Sequence, residues 1–263
     1  MDTTELLGYG GALLVGLVLG LIGGGGSILT VPLLVYLLGY NPVVATAYSL
    51  FVVGSTSVVG TFQKFKKGMV DFKTGFMFSF PSFISVYLTR RYLISHLPQN
   101  LFSIGSFEIT KDMLIMVLFA IIMLLAAFFM IKKGPPIDEN SKKQAYYKTF
   151  FQGIVIGGLT GIIGAGGGFL YVPALVLWAK LPMKKAVGTS LIIVAINSLI
   201  GFFGDVQNLA INWTFLLIFT SISIIGILIG VSLTKFVSGE RLKKSFGYFI
   251  LVMAVYIMYM EFS

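Results

Sequence analysis

The chain has no cysteine, so disulfides, thiolate-bound metals, iron–sulfur clusters and cysteine nucleophiles are excluded together. Charge is scarce as well: 11% of its 263 residues are Asp, Glu, Lys or Arg, where a soluble protein carries about a quarter. The single histidine, His96, has no companion at metal-ligand spacing, and neither a metal nor a cofactor is expected. All ten acidic residues fall at termini, in loops or at the ends of apolar runs, which leaves no span with the buried carboxylate usual in a proton relay. No nucleophile–base pair or carboxylate cluster falls within the runs, which argues against an integral-membrane enzyme. The N-terminus carries Asp2 and Glu5 where a secretory signal would carry Lys or Arg, so it is read as mature structure.

Hydrophobic residues make up 57% of the chain. Runs at about 43–63, 73–94, 112–131, 185–204, 211–233 and 243–260 reach the ~20 residues a helix needs to cross a bilayer. They are continuous, without the period-two alternation of a membrane barrel, and predict six transmembrane helices.

Glycine is plentiful and patterned. Gly20-Leu21-Ile22-Gly23-Gly24-Gly25-Gly26-Ser27, closed by Val31-Pro32, recurs 141 positions later as Gly161-Ile162-Ile163-Gly164-Ala165-Gly166-Gly167-Gly168, closed by Val172-Pro173. The spacing holds through Ala45/Ala186, Ser49-Leu50/Ser190-Leu191, Ser57/Ser198 and Gly60/Gly201 to Phe72/Trp213, which marks a duplication. Paired glycine interruptions, one per half, point to a binding site at the seam between the halves of a transporter.

Net charge is +9, but the basic residues are interleaved with apolar runs and do not form a nucleic-acid surface. Sixteen of the nineteen Lys and Arg lie in Lys64–Lys73, Lys132–Lys148, Lys180–Lys185 and Lys235–Lys244, and the positive-inside rule assigns all four segments to the cytoplasm. The glycine-broken segments 6–39 and 148–181 would be ~50 Å long as straight helices, too long for one crossing. Counting them as single crossings forces a basic segment outside; counting each as a hairpin places every basic segment inside. The expected fold is therefore an all-α polytopic membrane protein built as an inverted repeat, each half a glycine-broken helical hairpin plus three transmembrane helices. The first half takes residues 1–131 (hairpin 6–39, spans 43–63, 73–94 and 112–131), the cytoplasmic linker 132–147, and the second half 148–263 (hairpin 148–181, spans 185–204, 211–233 and 243–260). Both termini are then expected outside the cytoplasm, with a loop at about 95–111 that has no counterpart of equal length in the second half.

The doubled glycine turn, followed by Val-Pro and then by Ala45-Thr46-Ala47-Tyr48-Ser49-Leu50 or Ala186-Val187-Gly188-Thr189-Ser190-Leu191, resembles the sulfite exporter TauE/SafE family of prokaryotic permeases. The resemblance covers nearly the whole chain and implies transport of sulfite, sulfonates or related organosulfur anions across a prokaryotic plasma membrane. The halves depart from each other at Tyr48/Thr189 and Ser27/Gly168, where substrate contact would differ.

These residues suit an anion. A helix N-terminus presents unpaired N–H groups and a positive dipole end, an anion site that needs no Lys or Arg. The second half-helices are expected to start at about Ser27 and Gly168, near mid-membrane. The candidate substrate-binding residues are Gly23, Gly24, Gly25, Gly26, Ser27, Gly164, Ala165, Gly166, Gly167 and Gly168 of the turns. Ser49, Thr189, Ser190 and Asn197 join them as neutral hydrogen-bonding groups from the following helices. Close helix packing is the competing reading of the glycines, and the stronger one for Gly16/Gly20, Gly157/Gly161 and Gly226/Gly230. Arg90 and Arg91 end the third span, where they read as interfacial anchors or as an outer vestibule for anions. The expected partners are a small anion and the bilayer, with a homo-oligomer allowed. A membrane assembly subunit that transports nothing, or an integral-membrane enzyme, is the alternative.

Overall fold

The computed structural model describes residues 3–94, 96–104, 107–132, 146–164, 166–206 and 209–262, and most of them are helical. In chain order the helices are α1 (Thr3–Ile22), α2 (Gly25–Pro32), α3 (Pro42–Lys66), α4 (Phe72–Leu88), α5 (Lys111–Ile131), α6 (Tyr146–Ile163), α7 (Gly168–Leu177), α8 (Met183–Val206), α9 (Trp213–Leu233) and α10 (Gly239–Phe262). Among them α3, α5, α8, α9 and α10 are long and apolar enough to cross a membrane. The span expected at 73–94 is divided: α4 is α-helical to Leu88 and continues as a π-helical turn over Thr89–Ile94. The long loop expected at 95–111 carries a small addition to the all-α fold, an antiparallel pair of strands, β1 (Asn100–Ile104) and β2 (Phe107–Thr110). Most of the linker 132–147 lies outside the described residues.

Side chains start several helices where the sequence supplies them. Asn41 accepts from the N–H of Val43 with Pro42 following it, Asp71 from Thr74, Thr110 from Met113 and Asn212 from Phe215. Each satisfies a donor that the first helical turn leaves unpaired. Glycine breaks end α1 and α6. Pro32 closes α2, and the chain goes on as a π-helical turn, Leu33–Leu37, because proline removes a helical N–H. α2 then returns along α1. A Cβ on Gly26 would meet Leu19 at 2.7 Å and Val15 at 2.9 Å, one on Gly11 would press into Leu33, and one on Gly8 would touch Leu38.

The packing of the two halves repeats under the 141-residue shift. Gly16 and Gly20 of α1 lie against Ser223, Ile227 and Gly230 of α9; their equivalents Gly157 and Gly161 of α6 lie against Ser82 and Val86 of α4 and Thr89 just beyond it. An added Cβ would run into the partner's backbone at Gly16, Gly20 and Gly157 and into the Thr89 side chain at Gly161, so these glycines, with Gly226 and Gly230, serve close helix packing. Each of these pairs joins one half of the chain to the other. The repeat-equivalent helices α3 and α8 also pack together, with Leu50 beside Gly201 and Leu191 beside Gly60. Those contacts make α3 and α8 antiparallel.

One end of the bundle gathers lysines. Lys64 at the end of α3 donates to Thr234 beyond α9, Lys67 donates to the Val231 carbonyl, Met69 abuts Gly188 near the start of α8, and Met183 abuts Gly239 at the start of α10. The opposite end holds the strands, the close of α8 and the close of α10, where Tyr36 donates to Glu261.

Candidate functional site

The two glycine turns meet. A Cβ placed on Gly24 would overlap the carbonyl of Gly168 and come within 2.6 Å of the Phe169 nitrogen; one on Gly168 would overlap the Cα of Gly24 and lie 3.2 Å from the Gly23 oxygen. Only two hydrogen side chains fit here. The turn itself needs positive φ, which glycine tolerates, at Gly23 (79°) and at Gly164, Gly166 and Gly167 (65° to 67°). α2 starts at Gly25, two residues ahead of the expected Ser27, and α7 starts at Gly168 as expected. Two half-helix N-termini thus converge on one seam.

The surrounding shell comes from the helices that follow. Ser190 donates to the Gly23 carbonyl at 3.0 Å and to Val187 at 2.9 Å. Gly23 and Gly164 face repeat-equivalent neighbours, Val187 and Thr46. Ser198 lies 2.7 Å from where a Gly166 Cβ would stand. Ser27 turns to its own helix, donating to the Gly24 carbonyl at 3.0 Å. The hydroxyls of Ser49, Thr56, Ser57 and Ser198 are buried with no hydrogen-bond partner among the described residues. Buried polar groups are nearly always paired, so these hydroxyls have hydrogen-bonding capacity that no described residue takes up.

Asn197 donates to Tyr171 at 2.7 Å and to Ser82 at 2.8 Å, and the Ser82 and Tyr171 hydroxyls bond each other; its own Oδ1 is unpartnered. Tyr171 and Ser82 belong to this network although only Asn197 stood out in the sequence. Thr189 is turned to other work. It accepts from the Asp71 N–H at 2.9 Å, while its repeat equivalent Tyr48 accepts from the Asn212 N–H at 2.7 Å. Asp71 and Asn212 are themselves equivalent under the shift, so the Tyr48/Thr189 departure keeps one hydroxyl function with two side chains. Ala165 lies outside the described residues.

Two charged residues depart from expectation. Arg90, read as an interfacial anchor, is fully buried: its Nη2 donates to Thr46 at 2.9 Å, and its Nε stands 3.1 Å from Asp205 Oδ2. The π-helical turn that carries Arg90 packs on α8, which directs the side chain into the protein instead of toward the interface. Asp205, expected at an exposed span end, is 4% exposed, so a buried carboxylate does exist at the end of α8, held by a buried guanidinium. Beside it a cavity of about 460 Å³ is lined by Val43, Arg91, Tyr92, His96, Lys111 and Asp205 among others. Among the described residues no three His, Cys, Asp or Glu side chains cluster as a metal site would require.

Long apolar helices, glycine turns that break two helices inside the bundle, and a polar seam where they meet define a polytopic membrane protein. The family pattern described as Sulfite exporter TauE/SafE matches residues 9–257, and the chain belongs to that family. It is similar to the probable membrane transporter protein YunE of Bacillus subtilis, 28% identical over 67% of this chain and 66% of that one. A probable membrane transporter protein of Xylella fastidiosa is 31% identical over 44% of this chain and 45% of its own length. One from Methanocaldococcus jannaschii is 36% identical over 40% and 41%. The matched region thus spans less than half the length of the latter two. No solved structure matches the chain.

Proposed function

We propose that the protein is a permease for small sulfur-containing oxyanions, sulfite or sulfonates, bound at mid-membrane by the half-helix N-termini of α2 and α7. The contact of Gly24 with Gly168 carries this reading. Two positive helix ends brought together repel each other, and an anion held beside their contact by the N–H groups of both converts that repulsion into attraction. The unpartnered hydroxyls of Ser49, Ser57 and Ser198 are neutral donors able to replace water around such an anion. An uncompensated ion at that depth would cost many kcal/mol, so donors must be supplied by the protein. The family's description as a sulfite exporter supports the substrate class.

The lysine-rich end faces the cytoplasm of a prokaryotic cell, which leaves both termini outside and makes the two halves an inverted repeat. The backbone-tight pairs α1·α9 and α4·α6 move as rigid units about the seam, exposing it to one side and then the other. Expelling an anion from an inside-negative cell is downhill by about 2.3 kcal/mol per charge per 100 mV, which suffices to drive export.

Sulfite flux into proteoliposomes at a clamped potential tests this. Wild type should carry sulfite in proportion to the potential, and Gly166→Leu should abolish binding, since its φ of 65° and the nearby Ser198 leave no room for a side chain. Gly10→Leu is the matched control, because nothing lies within 4 Å of a Cβ there. Wild type without anion flux, or full binding by Gly166→Leu, contradicts the reading.

A further inference from the structure

The cavity at the end opposite the lysines and the glycine turn at Gly164 lie on either side of one ion pair. Asp205 lines the cavity. Behind it stands Arg90, wholly buried, with Nε 3.1 Å from Asp205 Oδ2 and Nη2 bonded to Thr46 at 2.9 Å. Behind Arg90 is Gly164, where an added Cβ would collide with that same Nη2 and with Thr46. Cavity, carboxylate, guanidinium and turn therefore follow one another without a gap.

The repeat does not require this arrangement. The positions equivalent to Arg90 and Asp205 are Val231 and Lys64, so only one end of the molecule has the pair; at the other, Lys64 donates to the neutral Thr234. Nor does stability require it, since replacing a buried ion pair with apolar groups of similar volume is often neutral or favourable. The cavity carries cationic side chains beside its one carboxylate. Arg91, Lys111 and His96 line it, and the nearby Asp112 is engaged by Asn41 and Gln99.

A carboxylate on a guanidinium occupies the place that another oxyanion could take, because sulfite and sulfonate groups offer the same paired oxygens to the same planar fork. We propose that Arg90 is a second, transit binding site for the transported oxyanion, with Asp205 as its tethered competitor. This rests on the permease reading above. An anion arriving in the cavity displaces Asp205 from Arg90, and the released carboxylate turns toward Arg91 and Lys111. The exchange swaps one anion for another, so neither buried charge is left uncompensated. From Arg90 the anion is one step from the Gly164 turn, and its departure lets Asp205 close the path again.

The experiment compares wild type with the double neutral variant Arg90→Gln/Asp205→Asn, which leaves no lone buried charge. Sulfite is the probe, read by proteoliposome flux and by thermal unfolding in detergent. The double variant should keep wild-type thermal stability and lose about tenfold or more of the sulfite flux. Equal flux in both proteins overturns the transit site and leaves the permease reading intact, whereas a wild type that carries neither sulfite nor methanesulfonate overturns both. Asp205→Asn alone leaves Arg90 charged and starts from a lower melting temperature, and its ligand-induced shift gives a second readout. Its guanidinium has lost the competitor, so sulfite should raise its melting temperature further than it raises that of wild type. Equal shifts overturn the proposal.

Discussion

The backbone of Gly24 rests directly on that of Gly168, with no space for a methyl group on either side. A Cβ on Gly24 would stand 2.0 Å from the Gly168 carbonyl carbon, so the lack of space is enough by itself to demand glycine there. Gly24→Ala should push the two turns apart, costing about 1–3 kcal/mol of stability as overpacking does. Thermal unfolding and sulfite binding by the same preparation check this, and a variant of native stability and native affinity would refute it.

The glycine seams make a symmetric prediction. Gly16 lies on Ser223 as Gly157 lies on the equivalent Ser82, so Gly16→Ala and Gly157→Ala should lower the melting temperature by similar amounts. Gly10→Ala, with open space at its Cβ, should stay within about 0.5 kcal/mol of wild type. Unfolding curves of the three variants decide the matter.

Tyr48 and Thr189 accept from the N–H groups of Asn212 and Asp71, the residues that cap α9 and α4. Tyr48→Phe and Thr189→Val should each lose about 1 kcal/mol through the unpaired N–H, with the preference among anions unchanged. Competition between sulfite and sulfonates in the flux assay reads the preference.

The network of Asn197, Ser82 and Tyr171 ties α8 to α4 and α7. Asn197→Leu removes the donor to both hydroxyls and should destabilise by about 1–3 kcal/mol. Asn197→Gln, which restores the amide on a longer arm, should recover part of that loss, again by thermal unfolding.

Much of this architecture is legible in the sequence because lipid imposes one rule: apolar runs of sufficient length become helices. The runs at 112–131, 185–204, 211–233 and 243–260 became α5, α8, α9 and α10, and the glycine breaks fall at Gly23–Gly24 and near Gly164–Gly167. The fate of individual polar side chains is less legible. Arg90 sits at the end of an apolar run, which describes an anchor and a buried ion equally well; only the π-helical turn over Thr89–Ile94 and the approach of Asp205 decide. One signal was available, since Asp205 breaks the repeat at Lys64 in the same chain that places Arg90 outside the basic segments. Thr189 lies beside Ser190 in sequence, yet one accepts from Asp71 and the other donates to Gly23, because successive residues of a helix face different partners. The strands at Asn100–Thr110 lie in a segment without an equivalent, where the repeat offered no guide.

Selenite, a heavier oxyanion of the same shape as sulfite, locates the anion through its anomalous scattering in a crystal of the liganded protein. A selenium peak at the seam between the first turns of α2 and α7, beside Gly24 and Gly168, is the predicted result. Density for the anion elsewhere in the bundle, with the two turns still in contact and nothing between or beside them, would contradict it.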